Sequence, residues 1–198
     1  EHHGATLGLA ASPGLFAAAL ARETQRIHLV PTTFIVPLYD PLRLVEEIAM
    51  LDHLSRGRIE VGIGKGSSPH EAAMFGFTRD DMRDRYTTFL PAMLQAFETG
   101  VLPAIGDRPA VELTIRPGGS LPLWYPTANP ESIRETAVNG QNTIFGFAFY
   151  SPPIPVIREH RDLFFETRAR VDRGGTHPRF GVLRHVFVAE TDEEAFAL

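Results

Sequence analysis

The sequence contains no cysteine. Disulfides, thiolate zinc sites, iron–sulfur clusters and a cysteine nucleophile are excluded on that ground. The composition fits a reducing compartment, and the expected location is the cytoplasm. Long apolar runs are missing too. The longest, residues 15–21, is far short of the ~20 residues that a membrane-spanning helix requires, so no membrane association is expected. Positive charge is not in excess. Lys and Arg number 19 against 24 Asp and Glu, and the formal net charge is -5. That balance lacks the basic footprint of a nucleic-acid binder, and no nucleic-acid partner is expected. Lysine is nearly absent, Lys65 being the only one in an arginine-rich chain.

What is present is ordinary globular composition, with 43% hydrophobic and 22% charged residues in 198. At roughly 100–200 residues per domain this is one domain or part of one. No internal repeat, low-complexity tract or linker interrupts it. A chain that opens on Glu1-His2-His3-Gly4 reads as starting inside a domain, so a piece of a longer protein is expected.

Local signals divide the chain into alternating elements. Ser12 and Pro13 open a helix over residues 12–24. Residues 27–36 are apolar with little alternation, as in a strand buried on both faces. Asp40 and Pro41 open a second helix. Its Leu44, Ile48 and Leu51 share one face, and Gly57 stops it. Residues 58–64 read as a short strand, followed by a Gly/Ser loop and a long helix over residues 79–99. Residues 101–120, with Pro103, Gly106, Pro109, Pro117 and Gly118, read as irregular. A strand over residues 121–128 leads to a helix opened by Asn129-Pro130-Glu131-Ser132. Strand-like residues 142–150, a helix over 153–171, a strand over 179–189 and a last helix capped by Thr191 complete the order. Strict alternation predicts βαβ units and a parallel sheet. A doubly wound open sheet and a (β/α)8 barrel both fit. Five strands are visible, whereas a barrel has eight and about 250 residues.

Three places carry candidate chemistry. The first is Glu1-His2-His3. Adjacent strand residues face opposite ways, so two neighbouring histidines cannot ligate one metal from a regular strand, and no metal site is expected. A histidine at the C-terminal end of a parallel strand stands where α/β active sites gather, with a near-neutral pKa suited to proton transfer. Capping or solvation of that histidine is the plainer alternative. The second is Gly62-Ile63-Gly64-Lys65-Gly66-Ser67-Ser68, a strand-to-helix turn able to line an anion. It is not a P-loop. It is a poor dinucleotide fingerprint because the third glycine is misplaced and Pro69 stands where helix would begin. Lys65 suits a phosphate; a solvated lysine on a tight turn is the alternative. The third is the helix start at Glu131 and Ser132, where free N–H groups and the dipole favour phosphate, or where the helix is simply capped. The carboxylate pairs Glu46-Glu47, Asp80-Asp81 and Glu193-Glu194 read as solvated helix faces. The alternating Phe145, Phe147 and Phe149 read as core or pocket wall.

Taken together, Glu1-His2-His3, Pro37-x-x-Asp40-Pro41, Glu46-Glu47-Ile48-Ala49-x-Leu51-Asp52-x-Leu54-Ser55-x-Gly57-Arg58 and Gly62-x-Gly64-x-Gly66 resemble the bacterial luciferase-like flavin monooxygenases. The match is dense over residues 1–100. It continues more thinly through Leu123-Trp124-Tyr125 and Pro130-Glu131-Ser132 to the strand near Val186. The resemblance implies a (β/α)8 TIM barrel of the luciferase-like type, here a single partial domain over residues 1–198, with the first and last strands absent. It implies an oxidoreductase that takes reduced FMN as cosubstrate and oxygenates a small organic substrate with O2 through a flavin C4a-peroxide. An NAD(P)H:flavin reductase would supply the FMN. His2 matches the family's active-site histidine, with Glu1 and His3 completing its motif. Lys65 matches a flavin-phosphate contact, Ser132 and the backbone at Glu131 match a second one, and Gly64 falls at a cofactor-binding position. Thr32 and Thr33 match the strand end beneath the isoalloxazine, where relatives carry a non-proline cis peptide. The stretch at residues 101–120 is short for the family. The helix at residues 40–56 implies a homodimer. A deazaflavin (coenzyme F-420)-dependent oxidoreductase of the same barrel and a non-catalytic flavin-binding subunit are the alternatives. Substrate identity does not follow from the residues.

Overall fold

The computed structural model describes residues 1–4, 10–146, 152–171, 177–184 and 188–197. The chain divides into two compact units, Glu1–Trp124 and Tyr125–Leu198.

In the first unit helix α1, Pro13–Glu23, starts where Ser12 Oγ accepts the Leu15 N–H, with proline at the first turn. Strand β1 is only Phe34–Ile35, preceded by an isolated bridge between Leu29 and Ile59. The ten-residue strand expected over 27–36 is therefore broken. Pro31 has no N–H for a ladder, and the backbone winds into a 3-10 turn at Val36–Leu38. Helix α2, Pro41–Ser55, is capped by Asp40, whose carboxylate accepts from the Leu42 and Arg43 N–H groups. Leu44, Val45, Ile48 and Leu51 are 0–3% exposed. Each contributes about 1.5–3 kcal/mol by leaving water. The helix ends on Arg56 in the left-handed region, with Gly57 following at positive φ.

Strand β2, Val61–Gly64, pairs in parallel with β1, Phe34 opposite Ile63 and Ile35 opposite Gly64. The loop after it was expected to run to the long helix, but a short helix α3, Pro69–Met74, intervenes. Proline opens it without penalty at a position whose N–H has no helical partner. The case against a dinucleotide fingerprint thus rests on glycine spacing alone. Helix α4, Arg79–Thr99, carries a full capping box between Thr78 and Asp81 and stops at Gly100. The segment read as irregular contains a small antiparallel pair, β3 at Val101–Leu102 and β4 at Val111–Glu112. Strand β5, Leu123–Pro126, begins in this unit, pairing Val61 with Leu123 and Gly62 with Trp124 in parallel.

In the second unit helix α5, Pro130–Val138, leads to strand β6, Asn142–Phe145. Gly146 follows it at φ +121. Helix α6 is Ile154–Ala169, strand β7 is Phe180–Val182, and helix α7 is Asp192–Ala197. β6 and β7 are parallel, with Thr143 opposite Phe180. Ile133, Ala137, Phe145 and Phe164 form the buried core. Phe147, Phe149 and Val186 lie outside the described residues. Among the described residues no helix is long and apolar enough to cross a membrane.

Candidate active site

Glu1, His2 and His3 form no strand. They are held by side chains instead. The Glu1 carboxylate accepts the Ile35 N–H at 2.7 Å and the Tyr39 hydroxyl at 2.9 Å. It also meets His3 Nε2 at 3.1 Å. Ile35 ends β1 and lies opposite Gly64, which ends β2. The Glu-His-His segment is thereby tied to the C-terminal ends of two parallel strands, the edge where α/β active sites are built. Burial, followed by the neighbouring Glu1 carboxylate, pushes the Tyr39 phenol far above its usual range, so it stays a neutral donor.

His2 points its Nδ1 at Glu71 Oε1, 3.0 Å away, and the His3 N–H donates to the same oxygen at 3.0 Å. Glu71 sits in the first turn of α3, 7% exposed, while the His2 side chain is 43% exposed. Burial works against ionisation of Glu71. The hydrogen bonds from the His3 N–H and His2, with the nearby histidine charges, prevail and hold its carboxyl below the usual range. The His3 ring stands edge-on to Phe75, centroids 4.8 Å apart.

Thr32 and Thr33 lie just before β1, and the peptide between them is cis. They pass close over β2. A Cβ at Gly62 would meet the Pro31 carbonyl oxygen and stand 2.9 Å from Thr32 Cα; one at Gly64 would meet the Thr33 side chain. Glycine at both positions is what lets this segment approach. Lys65 follows Gly64, is exposed, and makes no ion pair among the described residues. The first unit thus gathers His2, Thr32, Thr33, Gly64 and Lys65 around the ends of β1 and β2.

Glu131 and Ser132 belong to the second unit. Their N–H groups are engaged: Asn129 Oδ1 accepts from Glu131 at 2.8 Å and from Ser132 at 3.3 Å. The Asn129 cap therefore already satisfies the amides that were assigned to a phosphate, and the Ser132 hydroxyl is what this helix start has left to offer one.

Sequence reasoning missed Glu71. Its signal was the spacing Ser68-x-x-Glu71, which spells a capping box. It also read Glu47 as solvated. Glu47 is half-buried, and its carboxylate reaches Gly14, where an added Cβ would collide with it. Burial raises the Glu47 carboxyl above its usual range; Arg43 opposes this and Glu1 adds to it.

The family model for luciferase-like monooxygenases matches residues 1–198. An uncharacterised protein of Sinorhizobium fredii is 35% identical over 100% of this chain and 58% of its own length. The oxygenase component of a flavin-dependent trigonelline monooxygenase of Acinetobacter baylyi is 26% identical over 98% of this chain and 55% of its own. The chain therefore spans a little over half the length of these curated relatives. Among solved structures, the oxygenating constituent of a Pseudomonas putida 3,6-diketocamphane monooxygenase, in complex with FMN, superposes with a TM-score of 0.80 at 21% identity. It covers 100% of this chain and 58% of that one. At that identity the likeness is one of fold.

Proposed function

The chain belongs to the luciferase-like monooxygenase family, and from that premise we propose that it is the oxygenating part of a two-component, flavin-dependent monooxygenase acting on a small organic substrate. The observation that carries this reading is the anchoring of Glu1-His2-His3 at the C-terminal ends of β1 and β2, where Ile35 and Gly64 lie opposite each other. Relatives named as an oxygenase component and an oxygenating constituent support a separate flavin reductase as the source of reduced FMN. The residues present suit such a group: Lys65, exposed directly after β2, makes no ion pair among the described residues and is the cation we assign to its phosphate. When bound, reduced FMN supplies the electrons that activate O2.

The protein's own part is to bind, orient and move a proton. Lys65 anchors the phosphate end. Thr32 and Thr33, kept close to β2 by Gly62 and Gly64, form a ledge for the ring system. His2, whose side chain is 43% exposed, holds or delivers a proton at Nε2. Two exposed apolar side chains on α2, Met50 at 52% and Leu54 at 45%, support a homodimer as the assembled form.

The test is rapid mixing of the full-length protein, loaded with reduced FMN, against oxygenated buffer and candidate substrates. We expect oxidised flavin to reappear more slowly than from free reduced FMN, and oxygenated product to accumulate. His2→Ala is expected to remove product while flavin binding persists. Reoxidation at the free rate without product overturns the reading. In a parallel assay without FMN, reduction of supplied oxidised deazaflavin F-420 by a candidate substrate would instead establish the oxidoreductase alternative, the cofactor being one that a solved enzyme of this fold carries.

A further inference from the structure

We propose that Glu71 is the positioning residue for His2, fixing the imidazole with hydrogen on Nδ1 and the lone pair of Nε2 directed outward. The proposal rests on the reading of His2 as the proton-handling group and adds the group that makes it competent.

Three observations carry it. The first is geometry. One carboxylate oxygen, Glu71 Oε1, receives both the His2 ring and the His3 N–H at 3.0 Å. It therefore fixes the backbone from which His2 projects as well as the ring itself. The second is local competition. Ser68-Pro69-His70-Glu71 has the capping-box spacing, and Ser68 Oγ does accept the Glu71 N–H at 3.2 Å. In the neighbouring box the Asp81 side chain returns to the Thr78 N–H at 2.8 Å. The Glu71 side chain does not return to Ser68; its oxygen turns to residues 69 and 68 positions away in the chain. A helix start gives up one of its two capping bonds to hold the histidine. The third is the contrast in exposure. Glu71 is 7% exposed, whereas the His2 side chain is 43% exposed. The carboxylate is shielded, and the imidazole it holds is partly exposed.

The chemistry follows from the donor inventory. An ionised carboxylate only accepts, so the proton in the His2–Glu71 contact belongs to Nδ1. Neutral His2 then presents Nε2 as an acceptor, and on taking a proton there the imidazolium stays paired with Glu71. This is the role of the orienting carboxylate in a triad: it sets the tautomer and stabilises the cation without itself changing protonation. The ionisable groups around the pair are His3 beside Glu71, Glu1 beside His3 and Tyr39, and Glu47 beside Glu1. Residues 5–9, Ala-Thr-Leu-Gly-Leu, carry none.

The experiment is nitrogen NMR of histidine-labelled full-length protein without flavin, with the His2 signals assigned through His2→Gln. Neutral His2 is expected as the Nδ1–H tautomer. In Glu71→Ala it is expected to revert to the Nε2–H form that a solvated imidazole prefers, and Glu71→Asp is expected to restore Nδ1–H in part. In the loaded enzyme Glu71→Ala is expected to lower kcat by about 10–100-fold, part of the roughly 10²–10⁴-fold that a positioned proton-transfer group contributes, with KM and flavin binding little changed. Wild-type His2 found as the Nε2–H tautomer overturns the proposal without any variant. So does a folded Glu71→Ala protein that keeps Nδ1–H. Because the tautomer is read without flavin or substrate, its outcome is separate from whether the protein is an oxygenase.

Discussion

Arg58 closes the C-terminal end of α1 through Thr24. Its Nη1 donates to Thr24 Oγ1 at 2.9 Å and its Nη2 to the Thr24 carbonyl at 2.9 Å. The same guanidinium reaches the carbonyls of Ala21, Ile27 and Ser55. It thus gathers carbonyls that a helix end leaves without partners, and it places a cation at the negative end of the helix dipole.

Arg58→Ala is therefore expected to destabilise the protein by about 2–3 kcal/mol, from the loss of charge-assisted bonds and the exposure of unpaired carbonyls. Arg58→Lys keeps the charge but not the planar fork and recovers only part of this. Urea unfolding of both variants checks the order. Equal midpoints for wild type and Arg58→Lys would refute the role given to the fork.

Gly62 and Gly64 differ in what stands above them. A Cβ at Gly62 would press on backbone, the Pro31 carbonyl and Thr32 Cα; at Gly64 it would press on the Thr33 side chain, with Thr33 Cβ 3.2 Å away. Backbone cannot swing aside, and a side chain can. Gly62→Ala is expected to cost about 2–3 kcal/mol, and Gly64→Ala about 1 kcal/mol. The reverse order in thermal or urea unfolding would contradict the stacking of residues 31–33 over β2.

Lys65→Met is expected to weaken reduced FMN binding by tenfold or more, because one charge-assisted phosphate bond is worth about 1.5–3 kcal/mol. Riboflavin, which lacks the phosphate, should bind both proteins alike. Anaerobic titrations with both flavins measure this, and an unchanged preference for FMN in Lys65→Met would assign the phosphate elsewhere.

Two carboxylates predict opposite responses to pH. Glu71 is held below its ordinary value of 4.5, so it contributes stability above that value and loses it as pH falls through the folded one. Glu47 is raised above 4.5, so its contribution is complete below that value and is lost as pH rises. At pH 7, Glu71→Gln is expected to lower stability by about 1 kcal/mol, and Glu47→Gln to leave it unchanged or raise it. Urea midpoints measured downward from pH 7 test both signs: Glu47→Gln should converge on wild type once pH is below 4.5, and Glu71→Gln only as pH falls further, through the lowered folded value of Glu71.

The legible parts of this fold were those written within a few residues. Ser12-Pro13, Asp40-Pro41, Asn129-Pro130 and Thr191 each cap a helix where their residue types say so, because a cap is a hydrogen bond over two or three residues. The long helix over 79–99 and the buried face of α2 followed from periodicity. The strands were harder. Residues 27–36 have strand composition, yet only Phe34–Ile35 forms a strand and Leu29 pairs singly with Ile59, since pairing depends on which N–H groups a distant segment can meet.

The segment that identified the family, Leu51-Asp52-x-Leu54-Ser55-x-Gly57-Arg58, lies before β2, at the opposite end of that strand from Lys65. Its polar residues work structurally: Asp52 accepts the Gly118 N–H at 2.7 Å, Ser55 donates to the Asp52 carbonyl, and Arg58 closes α1. Sequence alone carried the family, the helix starts, and the choice of His2 and Lys65 as candidates, because residue type and short spacing contain that information. Folding alone brought Glu71 to His2 across 69 positions, buried Glu47 against Gly14, and spent the Glu131 and Ser132 amides on Asn129. Those outcomes depend on distances between atoms far apart in the chain, or on which of two partners wins one donor. Residue order does not state either.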